Sequence, residues 1–231
     1  MARRLYELAG SDPARLFSPY CWRTRMALAH KELDFESVPW RFAEKDAIGA
    51  HGSEKVPVLV DDEICVNDSW VIAEYLEKTY PDRPSLFGGE GGRAMARFIN
   101  NWSDISVGQM APFIIADIHA QLDPGDKDYF RRTREKGMGK SLEEVVAGRE
   151  ARLDDLRRWL HPLRMTLRTQ PYLGGAKPNY ADYVVFGPFQ WARVTSPFEL
   201  LKPDDLIHAW RERMLDLFDG MARKAPVVDA A

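Results

Sequence analysis

One change of punctuation divides this chain. Pro81-Asp82-Arg83-Pro84 and Gly88-Gly89-Glu90-Gly91-Gly92 crowd proline and glycine into residues 81–92. Before that stretch, short β-like runs alternate with helical ones; after it, almost every segment reads as helix. Such a switch confines the chain to a mixed α/β domain followed by an all-helical one. The expected organisation is a first domain over 1–80, a link over 81–92 and a helical domain over 93–231. The length of 231 residues suits one large or two small domains. A 45% hydrophobic share with 29% charged residues is that of a globular chain able to build a core, and excludes a disordered one.

In the first part, strands are expected at Arg4–Leu8, Phe35–Val38 and Val56–Val60. The last of these turns at Asp61-Asp62-Glu63 into a hairpin with Ile64-Cys65-Val66. Helices are expected at Pro19–Lys31 and Asp68–Tyr80, the second with Val71, Ile72, Tyr75 and Leu76 on one face. Arg41–Ala50 reads as irregular or weakly helical. In the second part, Met95, Phe98, Ile99, Trp102 and Ile105 recur at helical steps, and Pro112 predicts a kink or an end. Ser141-Leu142-Glu143-Glu144 has the form of a capping box, opening a helix that carries Leu142, Val145, Leu153, Leu156, Leu160, Leu163 and Leu167. Asn179–Trp191 is a strongly apolar helix, and Pro203–Phe218 a final amphipathic one.

Several classes of function are disfavoured. The net charge of −3 gives no whole-chain attraction to nucleic acid or anionic membrane. No window reaches the roughly 18 apolar residues of a membrane span. The start, Met1-Ala2-Arg3-Arg4-Leu5, has no apolar run behind its charges, so no secretory signal is expected. Two cysteines, Cys21 and Cys65, cannot build a disulfide framework, and the five histidines show no metal spacing. The expectation is a cytoplasmic protein with no metal, no nucleic-acid partner and no membrane association. Cys65 is expected to be buried and inert, and Arg131, Arg132 and Arg134 to form a solvated face.

Three short pieces carry chemistry, and each also has a plain structural reading. In Phe17-Ser18-Pro19-Tyr20-Cys21-Trp22-Arg23, serine is a preferred N-cap and proline a preferred first helical residue. The same geometry offers free N–H groups and a positive dipole end to an anion, and holds a thiolate in preference to its thiol. Val56-Pro57 reads as an ordinary strand start, or as a cis bond that frees the Val56 backbone to pair with an extended peptide ligand. Asn67-Asp68-Ser69 caps the following helix, or forms a pocket for a zwitterion, Ser69 taking its carboxylate and Asp68 its ammonium group.

The three pieces together, with Trp22-Arg23-Thr24-Arg25, Glu74-Tyr75-Leu76 and the capping box Asn179-Tyr180-Ala181-Asp182, resemble a glutathione S-transferase in order and spacing. Within that family, the runs 18–28, 56–62 and 68–76 and the segment 141–150 are most similar to the bacterial β-aryl etherases of lignin breakdown and their fungal relatives. The resemblance implies a thioredoxin-like first domain, an all-helical second domain, glutathione as co-substrate and a homodimer. It implies that Ser18 is the catalytic residue, hydrogen-bonding the glutathione thiolate; with no histidine adjacent in sequence, a hydrolase triad is unsupported. Glutathione binding falls to Lys55, Val56, Pro57, Asp68 and Ser69, with Lys55 and Arg41 reaching for the glycine carboxylate. The acceptor, a hydrophobic and aromatic electrophile, would lie between the domains, against Phe17, Met110, Phe113 and Trp191, residues that each also read as core. The implied reaction is thiolate attack on an electrophilic carbon, as in β-aryl ether cleavage. A glutathione-dependent isomerase or dehalogenase uses the same thiolate site, and a non-catalytic carrier of hydrophobic ligands remains the rival from another class. Ser18-Pro19-Tyr20-Cys21 is the glutaredoxin-type pattern with oxygen in place of the first sulfur, which predicts conjugation and not disulfide exchange.

Overall fold

A computed structural model describes residues 3–228. Strands β1 (Arg3–Leu8), β2 (Glu36–Trp40), β3 (Val58–Asp61) and β4 (Ile64–Asn67) form one sheet in the order β2-β1-β3-β4. β1 and β2 run parallel, joined through helix α1 (Pro19–His30), as a parallel pair requires. β3 lies antiparallel to β1, with Leu5 opposite Leu59, and β4 closes the hairpin, with Val60 opposite Cys65. A short α2 (Lys45–Gly49) follows β2, and α3 (Ser69–Thr79) follows β4 and packs beside α1. This is a thioredoxin-like arrangement, with Leu5, Met26, Leu28, Leu59, Ile72 and Leu76 inaccessible at its centre. Val71, expected on the buried face of α3, is exposed; Ala73 takes the inward position.

The helical part contains α4 (Glu90–Gln121), α5 (Pro124–Met138), α6 (Leu142–Val146), α7 (Arg149–Trp159), α8 (His161–Thr166), α9 (Tyr180–Thr195) and α10 (Leu206–Gly220), whose backbone leaves the helical conformation at Leu217. α4 begins at Glu90, inside the stretch expected to be a link, and runs through Pro112 without ending. A proline inside a helix removes one hydrogen bond and costs about 3 kcal/mol in isolation. Here buried Phe113, Ile114, Ile115 and Ile118 hold the following turns in place. The single leucine-bearing helix expected after Ser141 is instead three. The capping box forms as expected, Ser141 and Glu144 bonding reciprocally. Gly148 then takes the left-handed conformation at φ 63°, and Pro162 starts α8 afresh.

The two parts share one core. α9 is buried along almost its whole length and packs against both α1 and α4. Its capping box is anchored by Asp182, whose carboxylate accepts from the N–H groups of Leu173, Gly174 and Asn179 and from Trp210 Nε1. The segment between the parts is packed as well: Leu86 and Phe87 are buried, and Phe87 and Trp70 both meet the Tyr180 ring. Where α9 crosses the start of α1, a Cβ on Gly187 would come within 2.3 Å of the Pro19 carbonyl oxygen, so only glycine allows this approach. Among the described residues, no helix is long and apolar enough to cross a membrane, and no cluster of His, Cys, Asp and Glu could hold a metal ion.

Candidate active site

Ser18 is the N-cap of α1. It is 4% exposed, and its Oγ accepts the Cys21 N–H at 3.3 Å. Beyond Cys21, its hydroxyl has no hydrogen-bond partner among the described residues. Cys21, one turn on, points inward; burial, reinforced by Glu7, pushes its thiol up to about 12. That thiol is inert at neutral pH.

The Val56–Pro57 bond is cis. Val56 lies two residues ahead of β3, and neither its N–H nor its C=O has a hydrogen-bond partner among the described residues. Asp68 caps α3, its Oδ1 accepting from Trp70 N–H at 2.9 Å and Val71 N–H at 3.1 Å. Its backbone sits at φ 70°, a region that favours glycine and that Asp tolerates better than most residues. Those two bonds explain Asp68 as a cap, and its other carboxylate oxygen makes no hydrogen bond among the described residues. The Ser69 carbonyl accepts from Tyr180 Oη at 2.7 Å, which ties the start of α3 to the start of α9.

Lys55, Val56, Pro57, Asp68 and Ser69 converge on one polar cleft of about 500 Å³, completed by Tyr20, Asn67 and Asp104. Asp104, from α4, was not apparent in the sequence. It is held by Arg23, which is 1% exposed and donates to Asp104 Oδ1 (2.8 Å), Asn100 Oδ1 (3.2 Å) and Ser103 Oγ (3.2 Å). Arg41 is not in this cleft: its Nε donates to the Gly10 carbonyl and its Nη1 to Glu44.

Beside the cleft, and sharing Tyr20, Glu54, Lys55 and Val56 with it, is a largely apolar cavity of about 420 Å³. Ser18, Phe17 and Trp191 line it. Met110 and Phe113 do not; Met110 is 1% exposed in the core, and Phe113 stacks on Phe198. The face of α4 turned to the cavity carries Val107, Gly108, Ala111, Ile115 and Ile118, a helical stripe that leaves both residues to one side. The opposite wall comes from Trp40, Phe42 and Lys45 around α2 and from Tyr129, Phe130, Arg134 and Met138 of α5. Buried Asp126 fastens these two elements, accepting the Phe42 and Ala43 N–H groups at 3.0 and 2.8 Å. The stripe Phe130-Arg134-Met138 is visible in the sequence at four-residue steps, but its facing partner is set only by the tertiary fold.

Cys65 differs from its expected state. It is exposed on β4, with Sγ 3.2 Å from His51 Nδ1. β4 is an edge strand, and its outward residues meet solvent.

The chain joins a thioredoxin-like sheet to a helical domain, with a capped helix start between a polar cleft and an apolar cavity. Residues 17–79 match the glutathione S-transferase N-terminal domain and residues 94–219 the glutathione S-transferase C-terminal domain. The chain belongs to the glutathione S-transferase family. A glutathione S-transferase-like protein of Aspergillus flavus is 29% identical over 68% of this chain and 56% of its own length. A probable maleylacetoacetate isomerase of Vibrio cholerae is 34% identical over 44% of this chain and 46% of its own length. The chain thus spans about half the length of these relatives. A crystal structure of a glutathione S-transferase of Ceriporiopsis subvermispora, in complex with glutathione, superposes with a TM-score of 0.79 at 24% identity, covering 99% of both chains, and shows the shared fold.

Proposed function

We propose that this chain binds glutathione as co-substrate and uses its thiolate to attack an electrophilic carbon of a hydrophobic aromatic acceptor. One observation carries the reading: Ser18, at the capped start of α1, opens onto an apolar cavity continuous with the cleft of Lys55, Val56, Asp68 and Ser69. The tripeptide would lie in the cleft, its cysteinyl backbone paired with Val56 beside Pro57. Its γ-glutamyl ammonium would face Asp68 and Asp104, its carboxylate Ser69, and its glycine carboxylate Lys55. Its sulfur would reach Ser18. The helix dipole, the Tyr20 N–H, which has no partner among the described residues, and the Ser18 hydroxyl all favour the charged sulfur, which lowers the thiol pKa toward neutrality and raises the fraction of nucleophile.

The finer reading is β-aryl ether cleavage. The thiolate forms a carbon–sulfur bond at the carbon bearing the aryloxy group, the carbon–oxygen bond breaks, and the phenolate leaves with its electron pair. It is supported by the etherase-like runs around Ser18, Val56-Pro57, Asp68-Ser69 and Ser141, and by a cavity walled with aromatic rings. A second reading, a glutathione-dependent isomerase in which the sulfur adds to a carbon–carbon double bond and leaves again, is favoured by the name of the Vibrio cholerae relative. Exposed Ile64, Val71, Met95, Phe98 and Ile105 on β4, α3 and α4 support a homodimer.

The test is turnover with glutathione of a β-aryl ether ketone, a maleyl-type cis-alkene and a haloalkane. Ether cleavage as the fastest reaction supports the finer reading; faster isomerisation transfers it to the second. Glutathione binding with no turnover of any acceptor would leave the carrier alternative.

A further inference from the structure

Arg134 stands among apolar neighbours. On α5 it separates Phe130 from Met138, and it lines the acceptor cavity. Its guanidinium lies over two rings, 4.8 Å from the centroid of Phe130 and 5.8 Å from that of Phe42. Of its five N–H donors, only one is used, in a bond to Thr133 Oγ1 at 3.0 Å. No carboxylate comes within ion-pair distance of it among the described residues. Its neighbour Arg131, by contrast, is neutralised by both Glu135 and Glu143. Arg134 is half-buried, and that partial burial, with no counter-ion among the described residues, draws its guanidinium below its ordinary pKa.

A second cation faces the same space. Lys45 Nζ sits 5.1 Å from the Tyr129 ring centroid, lines the cavity and has no acidic partner among the described residues. The carboxylates nearby are otherwise engaged or peripheral. Asp126 is committed to the Phe42 and Ala43 N–H groups, and Glu54 is an exposed residue of the wall that bonds neither cation. Stacking on rings explains where Arg134 rests. It leaves the remaining donors of half-buried Arg134 unspent at an apolar wall, where a partly desolvated charge gains from a compensating ligand, and it leaves exposed Lys45 as a second cation at the cavity rim.

We infer that the acceptor is an aromatic anion, a ring bearing a carboxylate or phenolate, whose charge is bound by Arg134 with Lys45 as a second, outer cation and whose ring lies among Phe42, Tyr129 and Phe130. Arg134 is a specificity residue: it selects the acceptor and does not act on the sulfur. This rests on the transferase reading above.

The experiment compares 4-chloro-3,5-dinitrobenzoate with its uncharged carboxamide. In both, the glutathione sulfur bonds to the chlorine-bearing carbon, the carbon–chlorine bond breaks, and chloride leaves. Values of kcat/KM are divided by the uncatalysed rate constants. The native chain is expected to favour the carboxylate by about tenfold or more. Arg134→Met should lower kcat/KM for the carboxylate by about 10- to 100-fold, the range of one charge-assisted hydrogen bond, and for the amide by less than about threefold. Arg134→Lys should keep part of the preference. An equal fall on both acceptors, or on neither, overturns the inference while leaving the transferase reading intact. If neither acceptor turns over, the transferase reading is decided by turnover of the β-aryl ether ketone, the cis-alkene and the haloalkane. The inference is then decided by titrating 3,5-dinitrobenzoate and its amide by calorimetry: tighter carboxylate binding, lost in Arg134→Met, upholds it, and equal binding refutes it. Should Arg134→Met not fold, Lys45→Met at its exposed position is expected to reduce the carboxylate preference severalfold, and an unchanged preference counts against the inference.

Discussion

At the scale of single residues, the two cysteines and Ser18 divide the sulfur chemistry. Ser18 caps α1, and in the proposed reaction its hydroxyl would also supply one hydrogen bond to the bound thiolate. Ser18→Ala is therefore expected to lower kcat/KM by about 10- to 100-fold and to cost about 1 kcal/mol of stability. A chemical denaturation curve beside the kinetics separates the two. Unchanged turnover would assign the thiolate wholly to backbone N–H groups. Cys21 is 1% exposed with its pKa pushed up to about 12, whereas Cys65 is exposed. A thiol reagent at neutral pH should modify one cysteine per folded chain, and Cys65→Ser should abolish the fast reaction. Rapid labelling of Cys21 would contradict its buried placement.

At the scale of elements, local signals were legible and long-range ones were not. The serine cap of α1, the β3–β4 hairpin and both capping boxes are written in residues within four positions of one another, and all of them form. Pro112 does not end α4 because the cost of one lost backbone bond is smaller than the burial of the isoleucines that follow it. The leucine-bearing helix divided because a left-handed Gly148 outweighs an unbroken apolar period. Caps and a Val-Pro pair pointed to Lys55, Val56, Pro57, Asp68 and Ser69, which line one cleft. The acceptor wall could not be located in that way, because Phe42, Tyr129 and Arg134 meet only after α5 docks on the β2–α2 segment through Asp126. Met110 and Phe113 show the same limit, since apolar residues on α4 reveal no direction until the helix is placed. The crossing of α9 over α1 is a sharper test of packing. Gly187→Ala forces a Cβ to within 2.3 Å of the Pro19 carbonyl oxygen unless the helices shift. It should cost about 1–3 kcal/mol and, because Pro19 adjoins Ser18, also reduce turnover. A variant with native melting temperature and native kinetics would mean that this crossing is slack.

At the scale of the whole molecule, function depends on two domains fused through one core. Arg23, Tyr180 and Asp126 each bridge the sheet domain and the helices, so cleft and cavity are held in fixed relation. Aromatic residues and leucines fill the junction around Trp70, Phe87 and Tyr180. The exposed apolar residues of α4 lie on the opposite side of this economy: Phe98 is 67% exposed and Met95 61%. Light scattering is expected to give the mass of a dimer, and Phe98→Glu to shift it toward the monomer; a monomeric native chain would remove the homodimer from the account. The central claim, that this fold holds glutathione as a thiolate at Ser18, is tested most directly by the ultraviolet thiolate absorbance of glutathione bound to the native chain, followed across pH. The account predicts that the bound thiol titrates at least one unit below the ordinary thiol value of about 8.5, and that Ser18→Ala moves it back upward. A bound thiol that titrates near 8.5 in the native chain, unaffected by Ser18→Ala, would contradict it.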